Sequence, residues 1–495
     1  MEFWNEIINV SMMGTDKRTI STESWPPALS EAALFISGNN NQDKEDCFLQ
    51  IAALSFNYRQ AGIMAMHNET VSLPIAAREE KRYCTAGALH ILKDIQSEES
   101  IPLLKLWLQQ CDAHQQIVPP EMVPALLETG CKERKLQHLI TGCAGKRGEW
   151  LSRFNEDWNF SQNQTAEQSW QTGTIEQRKA ILKETRTNDA DLAREMLVQT
   201  WPQEDANTKQ AFLDILSIHI NEGDISFLES LASEKSKKVK DAALDLLKKI
   251  PASTIVQQYQ QLLQRSVSLK KEKALLGLST KTSLAFHLPA DIDENIFKSG
   301  IDKLSNTKEF TDDEYIISQL LQFVPPSFWE KQLAATPEQV INYFQKDASG
   351  KKMIPALVTA IRHFNDTNWA FLFMQYSEVF YIDVLPLLPL QQQEYYSNRF
   401  FEQYPDSILN FAVQRKTEWG KDLAKNIFKH VAKNPYQYNR SFFGQQIHLI
   451  PVIIVDELEK CTPPEEYLRN MWSNTSELII KLLSLKIQTI KAFNE

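Results

Sequence analysis

Glycine is scarce in this chain: 15 residues of 495, less than half of the average usage of about 7%. Tight-turned antiparallel sheets and folds built on glycine-rich phosphate loops need more, so the shortage points to an all-α protein. Long apolar runs are missing too. A spanning helix needs roughly 18 such residues or more, and the nearest stretch, Phe371 to Leu390, is broken by Gln375, Glu378, Asp383 and two prolines. The start, from Met1 to Glu6, has neither the basic nor the apolar region of a signal peptide. These absences set the expectation of a soluble, cytoplasmic protein with no membrane contact.

Positive charge is in deficit. Lys and Arg number 53 against 63 Asp and Glu, a formal net charge of -10. Nucleic-acid affinity comes largely from phosphate neutralisation, so a binder would need a local basic patch against this background. The six cysteines, Cys47, Cys84, Cys111, Cys131, Cys143 and Cys461, include no pair at two-residue spacing. They read as reduced core residues, not as a disulfide framework or zinc ligands. There is no H-E-x-x-H and no G-x-S-x-G. No catalytic residue, metal site or cofactor is expected.

What is present is a repeat. Gln177-Arg178-Lys179-Ala180-Ile181-Leu182 returns as Thr208-Lys209-Gln210-Ala211-Phe212-Leu213 and again as Val239-Lys240-Asp241-Ala242-Ala243-Leu244, at a period of 31 residues. Each copy has a basic residue second, Ala fourth and Leu sixth. A weaker fourth copy, Lys271 to Leu276, follows 32 residues on. Periods of about 20 to 50 residues mark stacked supersecondary units. In the third copy Val239, Ala242, Ala243, Leu246, Leu247 and Ile250 make one apolar helical stripe, stopped by Pro251. A preceding helix begins near Asp224, a good N-cap. Each unit is then two short antiparallel helices, with the small fourth-position Ala admitting the next helix closely.

Four regions follow: a helical region over 1–145, a junction rich in Gly and Trp over 146–173, repeats over 174–285 and an aromatic helical region over 286–495. The first should hold helices at Glu2–Met13, about Asp43–Met66, Tyr83–Ile95, Ile101–Cys111 and Glu121–Glu128, the last ended by Gly130. The fold class is all-α, an α-α superhelix.

The segment Lys237 to Leu247 resembles the second helix of a HEAT-type repeat, with Lys240 where that pattern usually has Arg. Gly14-Thr15-Asp16-Lys17-Arg18, Gly145-Lys146-Arg147-Gly148-Glu149-Trp150-Leu151 with Trp158, and the repeats after them resemble one bacterial family of unknown function. Its members tend to be encoded beside a MoxR-type AAA ATPase, a von Willebrand A-domain protein and a SWIM zinc-finger protein. The resemblance implies an accessory role in an ATPase-containing assembly and brings no catalytic residues.

Three sets of side chains are candidate sites. Arg178, Lys209 and Lys240 form a row along the stacked units, able to bind an acidic partner or to be neutralised by carboxylates such as Asp241 or Glu204-Asp205. Lys146 and Arg147 follow Gly142-Cys143-Ala144-Gly145, which has too few intervening residues for a P-loop. A helix end, a turn and a new helix near Glu149 explain these glycines, and the alternative is an anion bound beside a helix N-terminus. Trp150, Trp158 and Trp170 either plug the end of the repeat stack or form a binding platform. The leading functional expectation is a non-catalytic scaffold or adaptor binding another protein. The alternative is a helical-repeat nucleic-acid binder or DNA-glycosylase-like enzyme.

Overall fold

Helix formers punctuated by proline and capping residues set the order of elements, and a computed structural model describes residues 2–38, 42–61, 74–161, 166–274 and 279–494. It divides into two units, Met1–Ala76 and Ala77–Glu495. Among the described residues, strand is confined to two two-stranded sheets, and the protein is all-α in class.

The first unit holds α1 (Glu2–Met13), α2 (Pro27–Ser37) and α3 (Lys44–Ala61). Gly14 ends α1 at φ +88°, with its N–H on the Val10 carbonyl. That left-handed conformation is one glycine adopts without steric cost. Phe3, Ile7, Trp25, Leu29, Ala33 and Ile51 form the core between the three helices. Of the expected helix over 43–66, residues 62–66 lie outside the described residues.

The second unit opens with β1 (Arg82–Tyr83), α4 (Ala86–Ser97), α5 (Ile101–Ala113), β2 (Gln116–Ile117), α6 (Val123–Lys132) and α7 (Gln137–Ser152). The strands β1 and β2 pair in parallel. Gly130 does not end its helix. It lies inside α6, because the Phe160 ring fills the place of a side chain: a Cβ there would sit 2.4 Å from the ring. This region shares one core with the far end of the chain, where Trp107 meets Phe493 edge-on at 5.2 Å between ring centres. The closing helix, Glu466–Asn494, is tied down by Lys486. Its buried ammonium donates to Glu418 at 2.6 Å and to the carbonyls of Ile450 at 2.7 Å and His448 at 3.1 Å.

Between them lie α8 (Ala166–Thr172), α9 (Ile175–Asn188), α10 (Ala190–Thr200), α11 (Ala206–Leu216), α12 (Ile225–Ser230) and α13 (Lys237–Leu247). The three copies of the six-residue motif fall on α9, α11 and α13, which touch in succession, while α10 pairs with α9 and α12 with α13. Caps fix where the helices start. Thr174 and Gln177 make a reciprocal capping box on α9, and Asp205 accepts from Asn207 and Thr208 on α11.

The stripe of the third copy is buried at Val239, Ala243, Leu246, Leu247 and Ile250, but the motif's fourth position is more open than expected. Ala180 is exposed, and Ala211 and Ala242 are half-buried. The core is built from the next residue, Phe212 and Ala243, and from Leu182 and Leu213 at the sixth. A stripe about 100° wide centres one residue further round the helix than the small side chains suggested.

Of the fourth copy, Lys271 to Ala274 are strand, and residues 275–276 lie outside the described residues. After α14 (Thr254–Ser266), residues Val267–Ala274 form β3 and pair in antiparallel register with β4, Ser279–Phe286. Lys271 to Ala274 are good helix formers, but Ser279 to Ser283 are Ser- and Thr-rich and favour strand. Val267 and Leu284 then bury against the C-terminal core, so tertiary packing overrides local propensity. The stretch Ile447 to Val455, strand-like in composition, is two 3₁₀ turns around Pro451.

Ala243 is 2% exposed against the core of the array. Ala243→Leu should cost about 1–3 kcal/mol through overpacking, read by chemical denaturation, whereas Ala242→Leu should cost far less. Equal losses would contradict this assignment of the helix faces.

Candidate functional site

The basic row folds inward. Arg178 on α9 lies over two adjoining aromatic rings, its guanidinium carbon 4.7 Å from the centre of Trp170 and 5.2 Å from that of Phe212. Its two terminal nitrogens donate to the two oxygens of Glu204, one at 3.1 Å and the other closer. Lys209 repeats the arrangement one unit on. Its ammonium lies 5.2 Å over Trp201 and donates to Glu234 Oε1 at 2.8 Å, the oxygen that also accepts from Trp201 Nε1 at 2.7 Å. The Lys209 hydrogen bond is the main reason the Glu234 carboxyl sits below its usual range. Each basic residue therefore reaches forward to the acid that precedes the next motif helix. Lys240 is exposed and has no ion pair among the described residues. The spacings of 26 and 25 residues in the two pairs lead from Lys240 to Ser266 and Arg265, neither of them an acid, so the pattern stops just before β3.

Behind the row is a charge pair absent from the sequence expectations. Arg186 of α9 and Asp224 before α12 both have side chains 0% exposed. Arg186 donates to both carboxylate oxygens and to the carbonyls of Ala190 at 2.6 Å, Ile218 at 2.7 Å and His219 at 3.2 Å. Asp224 also accepts from Arg194 at 3.3 Å and from the Asn221 N–H at 3.0 Å. It makes no side-chain cap on α12, the role its position suggested. No periodicity could have found Arg186, because its counterparts are Ser217 and Lys248.

The glycine-rich segment carries an anion of its own. Gly145, at φ +63° and ψ −159°, breaks α7 into two helical pieces. The freed N–H groups of Lys146 and Arg147 donate to Glu79 at 2.9 and 2.8 Å. A Cβ at position 145 would stand 2.5 Å from the Glu79 carboxylate, which explains the glycine. The helix thus restarts at Lys146 instead of near Glu149.

The three tryptophans separate. Trp150 meets Phe154 edge-on at 5.0 Å, Trp158 packs on the core shared with the closing helix, and Trp170 is buried in the core of the array beneath Arg178. His219 is exposed and left-handed at φ +50°.

A cavity of about 510 Å³ lies between α11 and α13. The half-buried Ala242 forms part of its floor, and Asp214, Asp241, Asp245, Lys238 and Lys249 line it. Asp214 and Asp241 are exposed and have no ion pair among the described residues. Among those residues no group of three or more His, Cys, Asp and Glu is placed to hold a metal ion, and no helix is long and apolar enough to cross a membrane.

Removing one member of a buried ion pair strands the other, typically at a cost of about 3–5 kcal/mol. Arg186→Ala should show a loss of that size in urea denaturation. Arg186→Met with Asp224→Asn should lose less than Arg186→Ala alone. A single substitution costing under about 1 kcal/mol would mean the pair is open to water in solution.

No curated protein and no solved structure matches the chain. Residues 6–493 match a family described as a family of unknown function, DUF5691, so both units fall within one family. By that near-complete match, the chain belongs to the DUF5691 family.

Proposed function

We propose that this protein is a non-catalytic adaptor whose HEAT-like array, residues 174 to 247, docks another protein along the groove between α11 and α13. The observation that carries the reading is the contrast between two sets of charges on the same helices. Arg178 and Lys209 are consumed by Glu204 and Glu234 inside the array. Asp214 and Asp241 are left exposed and unpaired among the described residues, on the walls of a cavity of about 510 Å³. Stacked helix pairs suit extended binding surfaces, and unpaired exposed charges steer and select partners.

The mixed charge of this groove, three aspartates and two lysines, favours a protein over nucleic acid, which needs a positive track. The resemblance noted in the sequence makes a MoxR-type AAA ATPase or a von Willebrand A-domain protein the first partner to test. In this reading Lys240 is the member of the basic row still free to contribute. Trp170 anchors the array from within, and the N–H groups of Lys146 and Arg147 hold Glu79 in place of an outside anion.

The test is a binding titration with those two purified proteins. Asp214→Lys with Asp241→Lys should weaken binding at least tenfold while circular dichroism and melting stay unchanged, since exposed substitutions usually move stability by less than about 0.5 kcal/mol each. Affinity that the double substitution leaves unchanged would remove the groove from the account. Tight, salt-sensitive binding of duplex DNA would favour the nucleic-acid reading instead.

A further inference from the structure

The first unit contains a cleft that the adaptor reading does not use. It lies between α1, α2 and α3, measures about 430 Å³, and falls within the roughly 300–1,000 Å³ range of small-molecule sites. Its floor is apolar and buried, made by Val10 and Ile51, with Leu34 and Phe48 as walls. Its polar rim is one-sided: Arg18 and Lys44 line it together with threonine hydroxyls, and among the described residues no carboxylate does. In a chain of net charge -10, a cleft lined by two cations and no acid runs against the general field.

The segment Gly14 to Arg18 builds that rim. The left-handed turn at Gly14 brings Lys17 N–H and Arg18 N–H back onto the Gly14 carbonyl, at 3.1 and 3.2 Å. This places Thr15 and Arg18 on the cleft. Glu6 takes Arg18 Nη2 at 2.8 Å and Nε at 3.4 Å, which fixes the guanidinium. Nη1 is left with the Met13 sulfur at 3.9 Å, a weak acceptor. Lys44 is loosely held, 3.7 Å from Asp16, with both side chains largely exposed. One oriented guanidinium nitrogen and one mobile ammonium stand over an apolar floor. A carboxylate on a hydrocarbon body satisfies all three features, since a charge-assisted hydrogen bond to the head adds to burial of the tail.

We propose that this cleft binds a small apolar molecule bearing a carboxylate, with Arg18 and Lys44 receiving the head group and Val10, Ile51, Leu34 and Phe48 the body.

The experiment uses the full-length protein and dodecanoate below its micelle concentration, followed by titration calorimetry. Dodecanol serves as the uncharged comparison, and an apolar hexapeptide with a free C-terminal carboxylate as the protein-derived one. Leu34→Glu and Thr19→Glu each add a negative charge at an exposed position on the cleft, and an unchanged melting transition shows that each variant folds. The proposal expects saturable binding of one dodecanoate per chain, at least tenfold weaker binding of dodecanol, and at least tenfold weaker dodecanoate binding in both variants. Absence of saturable dodecanoate binding overturns it. So does equal affinity for dodecanol, or equal affinity in both variants. Tighter binding of the hexapeptide than of dodecanoate overturns the small-molecule assignment.

Discussion

Arg186 and Asp224 are charges with no access to water, and the repeat array is arranged around satisfying them. Taking two ions out of water costs several kcal/mol each. It is tolerated here because the geometry leaves little unpaired. The guanidinium spends its donors on two carboxylate oxygens and three carbonyls, and the carboxylate accepts in turn from Arg194 and the Asn221 backbone. The carbonyl of Ala190 belongs to the start of α10, those of Ile218 and His219 to the turn after α11, and Asp224 to the entry to α12. One side chain of α9 thus sets where three other elements begin or end. Such a knot specifies register more than it adds stability, a role well attested for buried polar groups.

The period-31 basic residues do a related job at the surface. A cation held between a ring and a carboxylate is worth more than an exposed ion pair, because its water has been removed on the ring side. Arg178 and Lys209 use this arrangement to join one helix pair to the next through Glu204 and Glu234. Lys240 has neither ring nor acid against it among the described residues, and one helix further on the all-helical pattern gives way to β3 and β4. Arg178 and Lys209 are joinery between units, while Asp214 and Asp241 on α11 and α13 stay exposed.

Much of the architecture was legible in the residues and some of the chemistry was not. The first helix was read at Glu2–Met13, its observed bounds, because Gly14 and the apolar spacing leave one solution. The motif helices were legible from their period. The stripe on α13 was legible too, but the close-packing role given to the fourth-position Ala was misplaced, since Ala marks close approach and exposed surface equally well. The hairpin was missed because Lys271 to Ala274 favour helix until Ser279 to Ser283 pair with them. The glycine segment was legible as a helix break, though the new helix was placed near Glu149 instead of Lys146, and the acceptor of the freed N–H groups, Glu79, lies more than sixty residues away where no local pattern names it. Long-range pairs such as Arg186 with Asp224 are invisible for the same reason. They are fixed by topology, and a single sequence carries topology only through its periods.

The central claim is that the basic row is internal joinery, and a double-mutant cycle on Arg178 and Glu204 tests it most directly. Stabilities of the wild type, Arg178→Met, Glu204→Gln and the double variant give the interaction energy between the two side chains. The account predicts a favourable coupling of at least about 0.5 kcal/mol, the range of residues in direct contact. Additive losses, with coupling below about 0.3 kcal/mol, would show that the two charges do not hold the repeats together and would return the row to solvent and to its partners.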